Sequence, residues 1–144
     1  ALQQAENALR KAEKEGVQLL FYTSKQFPAR LKQIPDAPAL LYYQGTADLN
    51  QPKTLALVGT RQATDYGREQ TERLIKGVAP HRPLIVSGLA YGIDIAAHRA
   101  ALQEGLETVG VMATGLDVIY PHAHRKTAEK MLTQGGLLTE FPFG

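Results

Sequence analysis

Thr54-Leu55-Ala56-Leu57-Val58-Gly59-Thr60-Arg61 decides the reading of this chain, because here short apolar runs begin to alternate with segments of helical length. Leu55 to Val58 reads as a buried strand that stops at Gly59. A helix over 65–78, with Leu74, Ile75 and Val78 available for one face, leads to a second apolar run over 83–86. An alanine-rich helix over 93–104, able to approach a sheet closely, precedes a strand over 108–112. A helix over 123–133 and a strand opening at 136–139 follow. This alternation predicts an α/β fold, an open parallel sheet with helices on both faces.

Upstream of Thr54 the pattern differs. Residues 2–15 alternate Ala and Leu with Gln, Glu, Lys and Arg, which predicts a helix ending at Gly16. Residues 17–22 read as a strand. Phe27-Pro28, Pro35 and Pro38 frame a short helical piece over 29–33, and 40–43 is another short strand. The expected organisation is an N-terminal helix and lead-in segment over 1–52 and a core over 53–144.

Composition excludes more than it reveals. A chain of 144 residues that is 44% hydrophobic can bury one sizeable core. It has no cysteine, so neither a disulfide framework nor a thiolate metal site is available. Apolar runs such as Leu84-Ile85-Val86 are far too short for a membrane span. The N-terminus lacks the basic-then-apolar pattern of a signal peptide, so a cytoplasmic protein is expected. The net charge of +2 is too small to announce a nucleic-acid partner, and basic and acidic residues balance from Thr54 onward. Any such affinity must come from a local arrangement.

In an open parallel sheet, ligands bind beyond the carboxyl ends of the strands. The glycine and polar residues fall there: Gly59-Thr60-Arg61 after the first core strand, Ser87-Gly88 with Ala90, Tyr91 and Gly92 after the second, Thr114-Gly115 after the third, and Glu140-Phe141-Pro142 after the fourth. Glycines at these places let a phosphate reach backbone N–H groups, or else merely permit tight turns. Arg61 directly follows a strand-end glycine and offers a guanidinium fork for phosphate, its alternative being an ion pair with Asp65 or Asp94. Tyr91 and Phe141 are candidates for stacking on a base or for covering the core edge.

Catalytic and metal readings find less support. Asp94 and His98 share a helix face, and the simpler account makes Asp94 a helix cap and His98 a packed, hydrogen-bonded residue. His81, His122 and His124 lack the H-E-x-x-H spacing of a zinc site, and no serine sits in a G-x-S-x-G elbow. Neither the dinucleotide fingerprint nor the Walker phosphate loop is present.

The motifs Val58-Gly59-Thr60-Arg61, Ser87-Gly88-Leu89-Ala90-Tyr91-Gly92-Ile93-Asp94 with Ala96-Ala97-His98, Thr114-Gly115-Leu116-Asp117-Val118-Ile119-Tyr120-Pro121 and Gly136-Leu137-Leu138-Thr139-Glu140-Phe141-Pro142 resemble the core of the DprA/Smf family of DNA-processing proteins. Leu40-Leu41-Tyr42-Tyr43-Gln44-Gly45 resembles the family's lead-in segment, so the likeness covers most of the chain. It implies a Rossmann-like core that binds single-stranded DNA and helps load RecA recombinase onto strands taken up in natural transformation. It implies no cofactor, metal or covalent chemistry, and it allows a homodimer of the full-length protein. By position, Arg61 would hold a phosphate, the glycine loops would line the pocket, and Phe141 would offer a stacking surface.

Departures from the pattern matter. Tyr91 stands where the family usually has a basic residue, and His122 stands where lysine is common, with Arg125 and Lys126 placed to compensate. Met112-Ala113 replaces a more glycine-like pair. The family's core normally runs on past the position of Gly144 through an arginine-rich segment and further strands, so a truncated core is expected.

Two rivals belong to other classes. A phosphoribohydrolase-like enzyme of the same broad superfamily would carry P-G-G-x-G-T-x-x-E, of which Gly135-Gly136 and Glu140 are a faint echo. A protein-interaction module would use the loops as contact surface and the glycines as turns.

Overall fold

A computed structural model describes residues 1–144. The element order is α1 (Leu2–Lys14), β1 (Gln18–Phe21), a 3-10 helix (Ala29–Gln33), β2 (Leu40–Gly45), β3 (Thr54–Ala56), α2 (Asp65–Val78), β4 (Leu84–Ser87), α3 (Ile93–Gln103), β5 (Thr108–Met112), a 3-10 turn (His122–His124), α4 (Arg125–Met131) and β6 (Gly135–Thr139). The six strands form one sheet in the order β1-β2-β6-β5-β4-β3. The α/β architecture expected from the alternation is present. β3 to β6 are mutually parallel, whereas β2 pairs antiparallel with both β1 and β6. The lead-in strands therefore extend the core sheet and make it mixed.

The local chemistry explains the best-read helix. The Thr64 side chain accepts a hydrogen bond from the Gly67 N–H at 3.0 Å, Asp65 lies in the first turn and Lys76 in the last. Ile75 is fully buried against Ile85, Ala100 and Ala101, and truncating such a side chain costs about 2–5 kcal/mol. The alanines of α3 behave as read: Ala96, Ala97, Ala100 and Ala101 are all buried.

Helices flank the sheet unequally. Strand parity puts Ile85 and Leu137 on one face, where Ala12 of α1, Ile75 of α2, Ile95 of α3 and Met131 of α4 pack. Successive parallel crossovers β3-α2-β4-α3-β5-α4-β6 all step in the same direction across the sheet, and right-handed crossovers then place their helices on the same side. The other face carries Leu41, Tyr43, Leu84, Val109 and Leu138 and is covered by Phe27, Ala47 and the 3-10 helix through Leu31. Burial pushes the Tyr43 phenol up to about 12, and its O–H lies 2.9 Å from the Ala47 carbonyl and 3.0 Å from that of Gly135.

The buried-strand expectation for 55–58 fails. β3 is an edge strand with Thr54 and Ala56 exposed and Leu55 only half-buried, and Val58 beyond it is 79% exposed. An apolar run records what a strand can bury. At a sheet edge, with cover on a single face, half of it stays in solvent.

Candidate nucleic-acid interface

The four loops converge at the carboxyl ends of β3 to β6, and glycines allow the approach. Gly92, at φ +81°, sits where a Cβ would lie 2.1 Å from the Thr60 carbonyl oxygen, so the second loop presses on the first. A Cβ at Gly115 would lie 2.4 Å from the Pro142 carbonyl oxygen, and the third loop meets the fourth in the same way. Close approach of one loop to the next thus accounts for the missing side chains at both positions. What remains for a ligand is backbone.

Several N–H groups here have no acceptor within the protein: Gly59, Thr60 and Arg61 in the first loop, Ala90, Tyr91 and Gly92 in the second, and Thr114 and Gly115 in the third. Two others are occupied, contrary to the expectation of phosphate access around Gly88. The Gly88 N–H donates to Asp94 Oδ2 at 3.0 Å and the Leu89 N–H to His98 Nε2 at 3.2 Å. Asp94 therefore ties down the preceding loop rather than capping α3, whose N-cap is Gly92.

A cleft of about 110 Å³ opens between these loops, lined by Arg61, Gly88, Ala90, Tyr91, Met112, Ala113, Thr114, Tyr120 and Pro121. Its lining contains no carboxylate. The exposed Arg61 makes neither of the ion pairs that sequence allows: Asp65 pairs with Arg68 and Asp94 bonds Gly88. An unpaired guanidinium beside unpaired amides in an acid-free cleft of this size suits a single phosphate. Tyr91 (47% exposed) and Tyr120 (69% exposed) present rings at the same place.

Not every expected residue reaches this cleft. Ser87 is buried, its hydroxyl donating to the Leu57 carbonyl, so its side chain joins β4 to the end of β3. Gly59, Thr60, Gly92 and Gly115 belong to the same loops but do not line the cleft. Phe141 is half exposed beyond β6 and outside the lining, with its N–H donating to Thr139 Oγ1 at 3.1 Å. His122 and Arg125 line a neighbouring groove of about 370 Å³ with Gln44, Leu116 and Asp117, where Arg125 Nε contacts Glu129 Oε1 at 3.2 Å. His124 is no border residue: it is buried, and its Nδ1 lies 2.8 Å from the Leu89 carbonyl. Sequence reasoning missed Tyr120 as a cleft residue. Its aromatic ring beside Pro121 in the longest polar-ended loop was the available signal.

His98 is the packed histidine that was expected, with Nδ1 2.6 Å from Thr108 Oγ1 in β5. Burial lowers its pKa from 6.5 to about 3, aided by the nearby His124 and opposed by the Ser87 carbonyl. The unfolded chain protonates this ring more readily than the folded one. Stability from the neutral ring is thus full above about pH 6.5 and is lost progressively as pH falls toward 3. Denaturant unfolding at pH 7 and pH 5 should show a drop on the order of 2 kcal/mol, absent in His98→Gln.

The chain is thus an α/β domain with a donor-rich, acid-free cleft at the carboxyl ends of its parallel strands. Comparison with known proteins makes this specific. The family model for DNA recombination-mediator protein A matches residues 18–144. The chain belongs to that family. It is 43% identical over 115 residues to the DNA processing protein DprA of Streptococcus pneumoniae, covering 80% of this chain and 40% of that protein. It is 35% identical over 140 residues to protein Smf of Synechocystis, covering 94% and 35%. The X-ray structure of Streptococcus pneumoniae DprA superposes with a TM-score of 0.85 at 38% identity, over 96% of this chain and 48% of that one. The Helicobacter pylori DprA structure, described for its unique single-stranded DNA binding mode, gives a TM-score of 0.73 at 31% identity, over 88% and 56%. The chain spans about two fifths of the length of the curated relatives it matches. None of its helices is long and apolar enough to cross a membrane.

Proposed function

We propose that this chain binds single-stranded DNA without marked sequence preference and acts as a non-catalytic part of a recombination mediator. The observation that carries this reading is the unpaired Arg61 guanidinium set among unpaired backbone N–H groups in a cleft without a carboxylate. That arrangement recognises a phosphodiester, which every nucleotide supplies, and the tyrosines offer faces on which any base can stack. Every residue lining the cleft lies within 53–144, which we take as the binding unit. For the intact protein the same reading extends to delivery of the strand to RecA recombinase, in the cytoplasm where the DNA lies, and to a homodimer. The relatives' names, DNA processing protein and recombination mediator, support it. A phosphoribohydrolase would need a carboxylate over the bound sugar phosphate, and Glu140 lies outside the cleft.

Fluorescence titration with labelled oligothymidylate, the matching duplex and nucleoside monophosphates, at two salt concentrations, tests this reading. Single-stranded DNA should bind most tightly and weaken as salt rises, with log K falling by about 0.7 per phosphate contact for each unit of log salt. Preference for the mononucleotides would favour the enzyme, and binding of none of the three would favour a protein-interaction module.

The groove holding His122 begins one residue from Pro121 at the cleft rim. A strand running from the cleft into that groove would meet His122 and Arg125. His122→Glu, which puts a negative charge in the path of the phosphates, should then weaken binding by about 1 kcal/mol, more strongly at low salt. Unchanged affinity would show that the strand leaves by another route.

A further inference from the structure

Leu89 occupies an unusual place in the second loop. Its φ of +59° is left-handed, a region that a bulky residue adopts only when its surroundings force it there. The side chain is fully buried against Met112 and Met131, so the chain must turn sharply after β4 while both backbone polar groups of Leu89 are inside the protein. Neither group can join a ladder at that turn. Instead, two histidine rings from separate elements take them, His98 of α3 receiving the N–H and His124 of the 3-10 turn donating to the carbonyl.

The protons can be placed from the partners. A carbonyl only accepts, so His124 carries its proton on Nδ1. The Leu89 N–H only donates, so Nε2 of His98 is bare, and its ring proton sits on Nδ1 facing Thr108 Oγ1. The opposite tautomer would put a proton on Nε2 against the Leu89 N–H and leave that buried N–H without an acceptor. His124 does a second thing: its ring meets Tyr91 edge-on, with centroids 5.1 Å apart.

We propose that His98 and His124 form a two-ring clamp on the Leu89 peptide that positions the second loop, and with it Tyr91 and the unpaired amides after Leu89, for a nucleic-acid strand. Both are positioning residues, since neither lines the cleft. The clamp rests on the proposed single-stranded DNA function for its purpose, though its geometry stands apart from it. It also explains how a leucine can hold a conformation that glycine normally supplies.

Two measurements test it. In the 15N-histidine-labelled wild-type chain, long-range proton–nitrogen spectra at pH 7 should show His98 protonated on Nδ1 with Nε2 bare, and His124 protonated on Nδ1. A His98 ring protonated on Nε2 overturns the clamp. In the second, His98→Leu keeps the volume but loses the acceptor, while His98→Gln can return an oxygen to the Leu89 N–H. His98→Leu should lower affinity for oligothymidylate and protection of the Leu89 amide from hydrogen exchange about tenfold each, and His98→Gln should recover most of both. Unchanged affinity and protection in His98→Leu, or equal losses in the two variants, would reduce His98 to core packing and overturn the proposal. If His98→Leu does not fold, the wild-type tautomers and His98→Gln decide. Failure of the wild-type chain to bind single-stranded DNA would sink the functional reading, while the tautomers and amide protection would still judge the clamp itself.

Discussion

Arg61→Ala is expected to weaken binding of single-stranded DNA by about 1 to 3 kcal/mol, roughly 5- to 150-fold in affinity. Arg61 lines the cleft and its guanidinium makes no ion pair or hydrogen bond within the protein, so nothing in the folded chain depends on that group. Unfolding free energy should accordingly stay within about 0.5 kcal/mol of wild type, as for surface positions without partners. Arg61→Lys separates charge from shape. It keeps a point charge but loses the planar fork, so its affinity should fall between the two. Titrating all three proteins with one labelled oligonucleotide, with denaturant unfolding alongside, checks both halves. Equal affinity in Arg61→Ala would leave the cleft without its cation, and a clear loss of stability would assign Arg61 a role in the fold.

Gly92→Ala should cost more in stability than any exposed substitution in the chain, about 3 kcal/mol or more. Two effects add there. At φ +81° and ψ −121° the backbone lies in a region almost closed to side chains, which costs about 1–3 kcal/mol, and a Cβ 2.1 Å from the Thr60 carbonyl must push one backbone away from another. Backbone cannot swing aside as a side-chain tip can. The displacement also breaks the hydrogen bond from the Ile93 N–H to that same carbonyl, at 3.1 Å. Gly105→Ala is the control, because Gly105 has φ +72° with nothing within 4 Å of the added carbon. It should lose only the conformational part, about 1–2 kcal/mol. Comparable losses in the two variants, measured by denaturant unfolding, would mean that the first and second loops are not pressed together.

Much of this was legible in the sequence, for local reasons. The bounds of α2 follow from Thr64 and Asp65 at one end and an apolar face that runs out at Val78. β5 and α3 are equally self-contained, since their apolar and alanine runs declare burial without reference to a partner. The strand ends were legible too, because parallel strands joined by helices all finish at the same edge, which brings Arg61, Gly88, Tyr91 and Thr114 together.

What could not be read depends on distant partners. Leu40 to Tyr43 looks like a strand but carries no mark of pairing with β6 nearly a hundred residues later. Leu55 to Val58 looks buried until its place at the sheet edge is known. Leucine argues against a left-handed turn at position 89, and the histidines that impose one lie nine and thirty-five positions away. Gly88 and Gly92 look alike in the sequence, yet the first spends its amide on Asp94 while the second leaves its amide unpaired. Local preference and fold disagree at Leu89, where conflict of this kind often marks a working part of a protein.

The central claim is that one strand of DNA lies across the carboxyl ends of the parallel strands, with a phosphate in the Arg61 cleft. Backbone amide shifts of the 15N-labelled chain, followed during titration with a short oligothymidylate, test it most directly. The largest changes should fall on Gly59, Thr60 and Arg61, on Ala90, Tyr91 and Gly92, and on Thr114 and Gly115, whose N–H groups have no acceptor within the protein. Changes concentrated instead on Arg99, Thr127 and Lys130, in the groove between α3 and α4, with the strand-end amides unmoved, would contradict the account.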